Sequence, residues 1–330
     1  MHVMVFLEEV TMLGEFIARE RAAAIAVDKR LRSGLLEFDP GVVVDSYNRR
    51  PFIVQHQLAK HPLLKLESLF ALCRRLPRDS VQFRRGAIPG NANFDTSYDR
   101  YRDGLLLEET LEHFEELKAY ICIYNPERDP TYRPLVEGLL ADVAGAIADI
   151  DPVMTWFSSY IFISTSGAVT PYHMDREMNF LLQVRGDKDV LLWDPSDPEI
   201  LSEADKDHLL FAFASWRPVY QPSFEAKAMH FEMHPGLGVH HPFIAPHRVH
   251  TLDGLSISLA LTFRTLKSDM LTRAHSFNEM LRRLGMSPHA VGESDAMDHA
   301  KAVASDAVRM PAKLWQARRR VLPSSDQPSA

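Results

Sequence analysis

Two side chains with chemistry to offer stand two apart in the segment Thr170-Pro171-Tyr172-His173-Met174-Asp175, an imidazole at His173 and a carboxylate at Asp175. In an extended strand residues i and i+2 project from the same face, roughly 6 to 7 Å apart along the backbone, so both can converge on one ion. An imidazole and a carboxylate supply two of the three protein donors of the facial set that leaves coordination positions open on a non-haem ferrous ion, and the third is another imidazole. It has to come from a different strand. His230, His234, His240, His241, His247 and His250 are the candidates, the last four within residues 238–250. That stretch reads as a strand, a proline-bounded turn and the start of a further strand. A histidine that enters a strand just after such a turn can point back into a barrel mouth, which favours His247, with His250 in reserve. A bare His-x-Asp pair arises readily in a chain with 15 histidines, and the plain alternative makes His173 an exposed strand residue paired with Asp175.

Such a cluster needs strands to hold it. From about Trp156 onward, runs rich in β-branched and aromatic residues at 160–165, 172–175, 179–184, 189–193, 239–244 and 255–263 alternate with Gly, Pro and Asp turns. The pattern is that of a compact all-β unit, a barrel or jelly roll. In the run Ser256-Ile257-Ser258-Leu259-Ala260-Leu261-Thr262-Phe263 the even positions are small or polar and the odd ones large and apolar. One face therefore lines a cavity and the other packs beneath helices. Arg264 continues the cavity-facing parity, which places it near a bound cosubstrate or anionic substrate, with a surface arginine at the strand end as the equal alternative. Helical spacing predicts helices over residues 8–32, 66–76, 106–120 and 135–147, with short strands near 52–54 and 81–84, and two further helices over 277–285 and 298–321. The expected organisation is a mainly helical N-terminal region (1–150) packing on a β-rich core (151–266), then C-terminal helices (267–322) and a disordered tail (323–330). The fold class is a mainly β core with α additions.

Composition narrows the partners. With 37 Lys+Arg against 44 Asp+Glu the formal charge is -7, and no basic patch surrounds the chemical motifs, so nucleic acid is not an expected ligand. Cys73 and Cys122 lack metal-type spacing, and two cysteines in 330 residues do not make a disulfide scaffold, so a reducing, cytoplasmic setting is expected. No apolar run approaches the roughly 18 residues of a membrane span, and the first residues carry no basic n-region of a secretory signal. Trp193 reads as core, and the remaining histidines, among them His56, His61, His113 and His275, as ordinary surface or packing residues.

The segment Gly167-Ala168-Val169-Thr170-Pro171-Tyr172-His173-Met174-Asp175, then Asn179-Phe180-Leu181-Leu182-Gln183-Val184-Arg185-Gly186-Asp187-Lys188, then Leu191-Leu192-Trp193-Asp194-Pro195, resembles the cupin-like branch of the Jumonji C oxygenases. That branch includes the asparaginyl hydroxylase acting on hypoxia-inducible factor, with the pattern TPxHxD…NFxxQxxGxK…P. The resemblance covers about residues 160–264 and implies a double-stranded β-helix, or jelly roll, using Fe(II), 2-oxoglutarate and O2. It makes His173, Asp175 and His247 the metal ligands. It makes Lys188 and Thr170 the partners of the distal 2-oxoglutarate carboxylate, and Asn179 a polar residue lining the cosubstrate pocket. Thr262 stands where the asparaginyl hydroxylase carries an asparagine.

The resemblance further implies a dioxygenase that oxidises a C–H bond of a protein side chain or a small molecule, releasing succinate and CO2. It also implies a possible homodimer through the C-terminal helices from residue 269 to 285. Two rivals share the barrel: a non-catalytic metal-binding cupin acting as a ligand sensor or regulator, and an oxygen-independent isomerase or hydrolase using Zn or Mn. An intact Lys188 and Thr170 argue against the sensor.

Overall fold

A computed structural model describes residues 27–211 and 216–321 of the chain. They fall into two compact units, one comprising Ala24–Ser202 with Arg217–Ser268, the other holding Glu203–Trp216 and the residues from Asp269 onward.

The larger unit is built on twelve strands among the described residues: β1 (Leu36–Glu37), β2 (Ile53–His56), β3 (Val81–Arg85), β4 (Ala119–Tyr124), β5 (Met154–Ser164), β6 (Val169–Met174), β7 (Met178–Arg185), β8 (Lys188–Leu192), β9 (Met229–Met233), β10 (Leu237–His241), β11 (Pro246–Thr251) and β12 (Ser256–Thr265). They form an eight-stranded sheet, β1-β2-β10-β7-β12-β5-β4-β3, and a four-stranded sheet, β6-β11-β8-β9. Neighbouring strands pair antiparallel. A shared apolar core draws on both sheets: Leu181, Val239 and Ala260 come from the larger and Val190, Leu192, Met233 and Val249 from the smaller. Each fully buried aliphatic side chain there contributes about 1.5 to 3 kcal/mol. This is the jelly roll expected from the strand pattern.

The parity of the last long strand is as read from the sequence. Ala260 of β12 enters the core between the sheets, whereas Phe263 stacks on Phe180 on the far side, and all ten residues of β12 are buried. The far side is covered by Phe38 and Phe52, whose rings meet Phe180 edge-on at 5.6 and 6.0 Å. Between β7 and β8 the chain turns at Gly186, which has φ +65° and where a Cβ would lie 2.3 Å from the Leu255 carbonyl oxygen; only glycine fits.

The larger unit also carries α1 (Pro40–Ser46), α2 (Leu66–Arg75), α3 (Ser97–Arg100), α4 (Leu107–Glu112) and α5 (Arg133–Ala146). Asp39 caps α1 by accepting from the Gly41 and Val42 amides at 2.8 and 3.1 Å, which satisfies donors the helix leaves open. Two expected helices, 66–76 and 135–147, correspond to α2 and α5. The expected helix over 106–120 does not continue: α4 ends at Glu112, Lys118 takes a left-handed φ of 48°, and Ala119 begins β4. Leu107, Leu111 and Phe114 are buried as the helical stripe predicts, but Ala-Tyr-Ile-Cys-Ile-Tyr at 119–124 is a short apolar run rich in β-branched and aromatic residues, and pairing with β3 and β5 wins. Of the helix expected over 8–32, residues 8–26 lie outside the described residues, and the remainder holds only the 3-10 turn Lys29–Leu31.

In the smaller unit, α6 (Glu203–Phe211), most of α7 (Leu266–Arg283) and α8 (Asp295–Val321) form a helical cluster. Asp207, fully buried on α6, accepts hydrogen bonds from His275 Nδ1 and Arg282 Nε of α7, each at 2.7 Å. The tail expected at 323–330 lies outside the described residues. Among those described, no helix is long and apolar enough to cross a membrane.

Candidate metal centre

Antiparallel pairing of β6 with β11 sets His173 directly opposite His247, so two imidazoles from adjacent strands leave the same face of the smaller sheet. Asp175 follows β6 by one residue. His173 Nε2 lies 3.7 Å from Asp175 Oδ1 and His247 Nε2 lies 3.8 Å from Asp175 Oδ2; the donor atoms of the three residues are all within 4.8 Å of one another. Each imidazole is held by its other nitrogen, since His173 Nδ1 meets the Pro171 carbonyl oxygen at 2.8 Å and His247 Nδ1 meets that of Ala245 at 3.0 Å. A carbonyl only accepts, so Nδ1 carries the proton and the Nε2 lone pair faces the carboxylate. Burial, reinforced for His173 by its partner His247, holds both pKa values below the ordinary histidine range, and a neutral imidazole is the form that ligates. Two nitrogen donors and one carboxylate on one side, pre-oriented by backbone, fit a divalent first-row transition ion with open positions opposite.

The register places the remaining candidates in rows across the inner face of the larger sheet. His241 pairs with Asn179, Asn179 with Thr262 and Thr262 with Ser158, a polar row at the level of the metal ligands, because the His241 and His247 rings are 4.5 Å apart. Two residues further along each strand run Val239, Leu181, Ala260 and Tyr160, which are apolar apart from one hydroxyl. Two further again stand Gln183, Ser258 and Phe162. Lys188 joins this third row from β8: it is 2 % exposed, and its Nζ donates to Ser258 Oγ at 2.7 Å while Ser258 donates to Gln183 Oε1 at 2.7 Å. Burial pushes the Lys188 pKa down to about 7. Among the described residues it meets a neutral hydroxyl and the face of Phe162 at 5.8 Å.

Thr170 Oγ1 shares a 2.9 Å hydrogen bond with Tyr120 OH. Arg264 is buried, its guanidinium 4.8 Å from the centre of the Trp156 ring, so the surface alternative does not hold. His250 is exposed, and His230 and His234 face Asp189 and Asp187 at the surface at 3.6 and 2.9 Å. His240 lies on the opposite face of β10, stacked on Tyr47.

Sequence reasoning missed Tyr120 and Phe94. The β-branched and aromatic run at 119–124 could have placed Tyr120 on a strand. Phe94 stacks on His173 with centroids 3.7 Å apart and planes 6° from parallel; Arg217 covers the ring at 5.1 Å and its Nε donates to Asp95 at 3.0 Å. Nothing in the irregular stretch Gly90-Asn91-Ala92-Asn93-Phe94 marks that role.

The solved structures similar to this chain include the X-ray structure of YcfD from Escherichia coli, at 13% identity over 90% of this chain and 75% of that chain with a TM-score of 0.45. Another is YcfD described as a ribosomal oxygenase in complex with cobalt and 2-oxoglutarate, at 13% identity, 83% and 68% coverage and a TM-score of 0.43. The DMSP lyase DddQ from Ruegeria pomeroyi matches over 34% of this chain and 40% of its own, at 17% identity and a TM-score of 0.21. No curated protein matches the sequence. Residues 82–269, more than half of the chain and including every strand from β4 to β12, match the cupin-like domain, and the chain belongs to that family.

Proposed function

We propose that this protein is an Fe(II)- and 2-oxoglutarate-dependent oxygenase that hydroxylates a C–H bond of a protein side chain or a small molecule. One observation carries the reading: a buried ammonium, Lys188, has no carboxylate partner among the described residues and stands across an apolar row from the His173, Asp175 and His247 cluster. A buried charge is costly unless paired. A short dicarboxylate with an apolar middle matches an interior whose layers are cationic at one end, apolar in the centre and polar around the donor cluster at the other.

The ferrous ion would be held by His173, Asp175 and His247 and supplies the site where O2 is reduced as 2-oxoglutarate, O2 and R–H become succinate, CO2 and R–OH. The chain does the rest. Lys188 binds the distal carboxylate with the hydroxyls of Ser258, Thr170 and Tyr120 as further donors. Leu181, Val239 and Ala260 exclude water around the methylenes. Backbone carbonyls of Pro171 and Ala245 keep both imidazoles in the ligating tautomer, and Phe94 shields the face of His173. A sensor or isomerase that binds no anion has no use for an ammonium opposite the metal.

The test is anaerobic protein loaded with Fe(II) and 2-oxoglutarate, then exposed to O2 with succinate measured. Slow turnover without added substrate is expected in the wild type and is lost in His173→Ala and Lys188→Ala. Binding of 2-oxoglutarate without any succinate, even with candidate substrates present, refutes the reading.

A further inference from the structure

Two adjacent histidines on β10 are treated in opposite ways. His240 faces outward, and both its nitrogens are used: Nδ1 donates to the Asn179 carbonyl oxygen at 3.1 Å and Nε2 accepts from the Asn48 amide at 3.2 Å. It is a satisfied core histidine. His241 faces inward and is 3 % exposed, yet among the described residues neither ring nitrogen has a hydrogen-bond partner. Its ring lies edge-on to that of the candidate ligand His247 at 72°. Asn179, its neighbour in register, has an unpartnered Oδ1 in the same row.

Buried polar atoms are nearly always paired, and those that are not mark sites completed by something outside the chain. An unpartnered imidazole at the level of the metal ligands points to a bound group that accepts from its ring N–H. His241 is not a member of the three-residue donor cluster, so it does not act as a ligand in this arrangement.

We propose that His241 is a positioning residue for the cosubstrate: its ring N–H donates to the carboxylate oxygen at the metal-proximal end of 2-oxoglutarate, while Lys188 holds the distal end. This rests on the oxygenase reading above. The two ends are then fixed by different strands, β10 and β8, and the oxo acid is oriented by a donor that does not compete for the metal. A neutral donor here also leaves the charge at the metal unchanged, whereas a second lysine would oppose the cation.

The test uses the full chain loaded anaerobically with Co(II), whose visible absorption reports both metal and ligand binding, in wild type, His241→Leu and His241→Asn. His241→Leu should keep Co(II) affinity within about twofold and weaken 2-oxoglutarate binding about 10-fold to 100-fold, the range for losing a hydrogen bond to a charged group. His241→Asn, which retains a donor, should recover most of the loss; that recovery separates a bond to the ligand from an altered barrel. Equal 2-oxoglutarate affinity in wild type and His241→Leu overturns the proposal and leaves the oxygenase reading standing. Loss of Co(II) together with 2-oxoglutarate makes His241 a metal ligand and also overturns it. Failure of the wild type itself to bind 2-oxoglutarate sinks both.

Discussion

Replacing Lys188 by Met should make the protein more stable and unable to bind 2-oxoglutarate, an inversion of what loss of a buried residue usually does. Burial pushes the Lys188 pKa from 10.5 to about 7. At roughly 1.4 kcal/mol per pH unit, the folded protein at pH 7 carries a penalty on the order of 4 kcal/mol that the solvated lysine of the unfolded chain escapes. Methionine has no charge to bury. Against this stands the lost hydrogen bond to Ser258, about 1 kcal/mol, and Ser258 keeps its bond to Gln183. The net expectation at pH 7 is a gain of about 3 kcal/mol. The sign with pH follows from proton counting. Between about pH 7 and 10.5 the unfolded wild type binds one more proton than the folded form, so wild-type stability rises with pH through that window and the variant does not share the rise. The gap should shrink to under about 1 kcal/mol at pH 9.5. Urea unfolding at the two pH values, followed by tryptophan fluorescence and circular dichroism, measures it. Adding 2-oxoglutarate at 100 times its Kd should stabilise only the wild type, by about 2.7 kcal/mol. A variant less stable than the wild type at both pH values, or a gap that does not change with pH, would show that the buried ammonium is not the burden argued here.

Three further outcomes are expected. Gly186→Ala forces a side chain into a left-handed turn and against the Leu255 carbonyl; it should cost at least about 2 kcal/mol, read as a lowered melting temperature, and a neutral result refutes the turn geometry. Tyr120→Phe removes the hydroxyl bonded to Thr170 and should weaken 2-oxoglutarate binding about threefold to tenfold with metal affinity unchanged, as calorimetry would show. Asp207→Asn leaves His275 and Arg282 without their shared buried carboxylate; it should destabilise the helical unit by about 3 to 5 kcal/mol in chemical unfolding, and no loss would mean that water already screens the pair.

The metal cluster was legible because it depends on short-range geometry. A His and an Asp two apart in a strand share a face wherever that strand goes, and a proline-bounded turn delivers His247 to the neighbouring strand. Choosing among six histidines was harder, since only pairing register shows that His250 faces solvent while His247 sits opposite His173. β12 was legible for the same reason, parity being fixed by the chain itself, whereas Arg264 stood equally between interior and surface until its burial decided it. What could not be read was anything contributed by a loop or a distant edge. Tyr120 reaches Thr170 across fifty residues of sequence, and the helical stripe before it drew the expected helix several residues too far. Phe94 sits on His173 through a loop whose composition carries no period at all.

The same parity explains how an ordinary barrel layers its interior. On β7 the inward residues are Asn179, Leu181 and Gln183, and on β12 they are Thr262, Ala260 and Ser258; both strands read polar, apolar, polar in the same direction because their antiparallel registers match. Each step is two residues, roughly 6.6 Å, so the layering is set by which of three positions per strand is greasy, not by any irregular loop. A one-residue slip would turn Phe180 and Leu182 inward and bury Asn179 in the outer layer. The polar, apolar, polar layering and the folding register are therefore specified by the same residues. Lys188 at one end, with no carboxylate partner among the described residues, and His241 at the other, its ring nitrogens unpartnered among them, are the two ends that a dicarboxylate would complete.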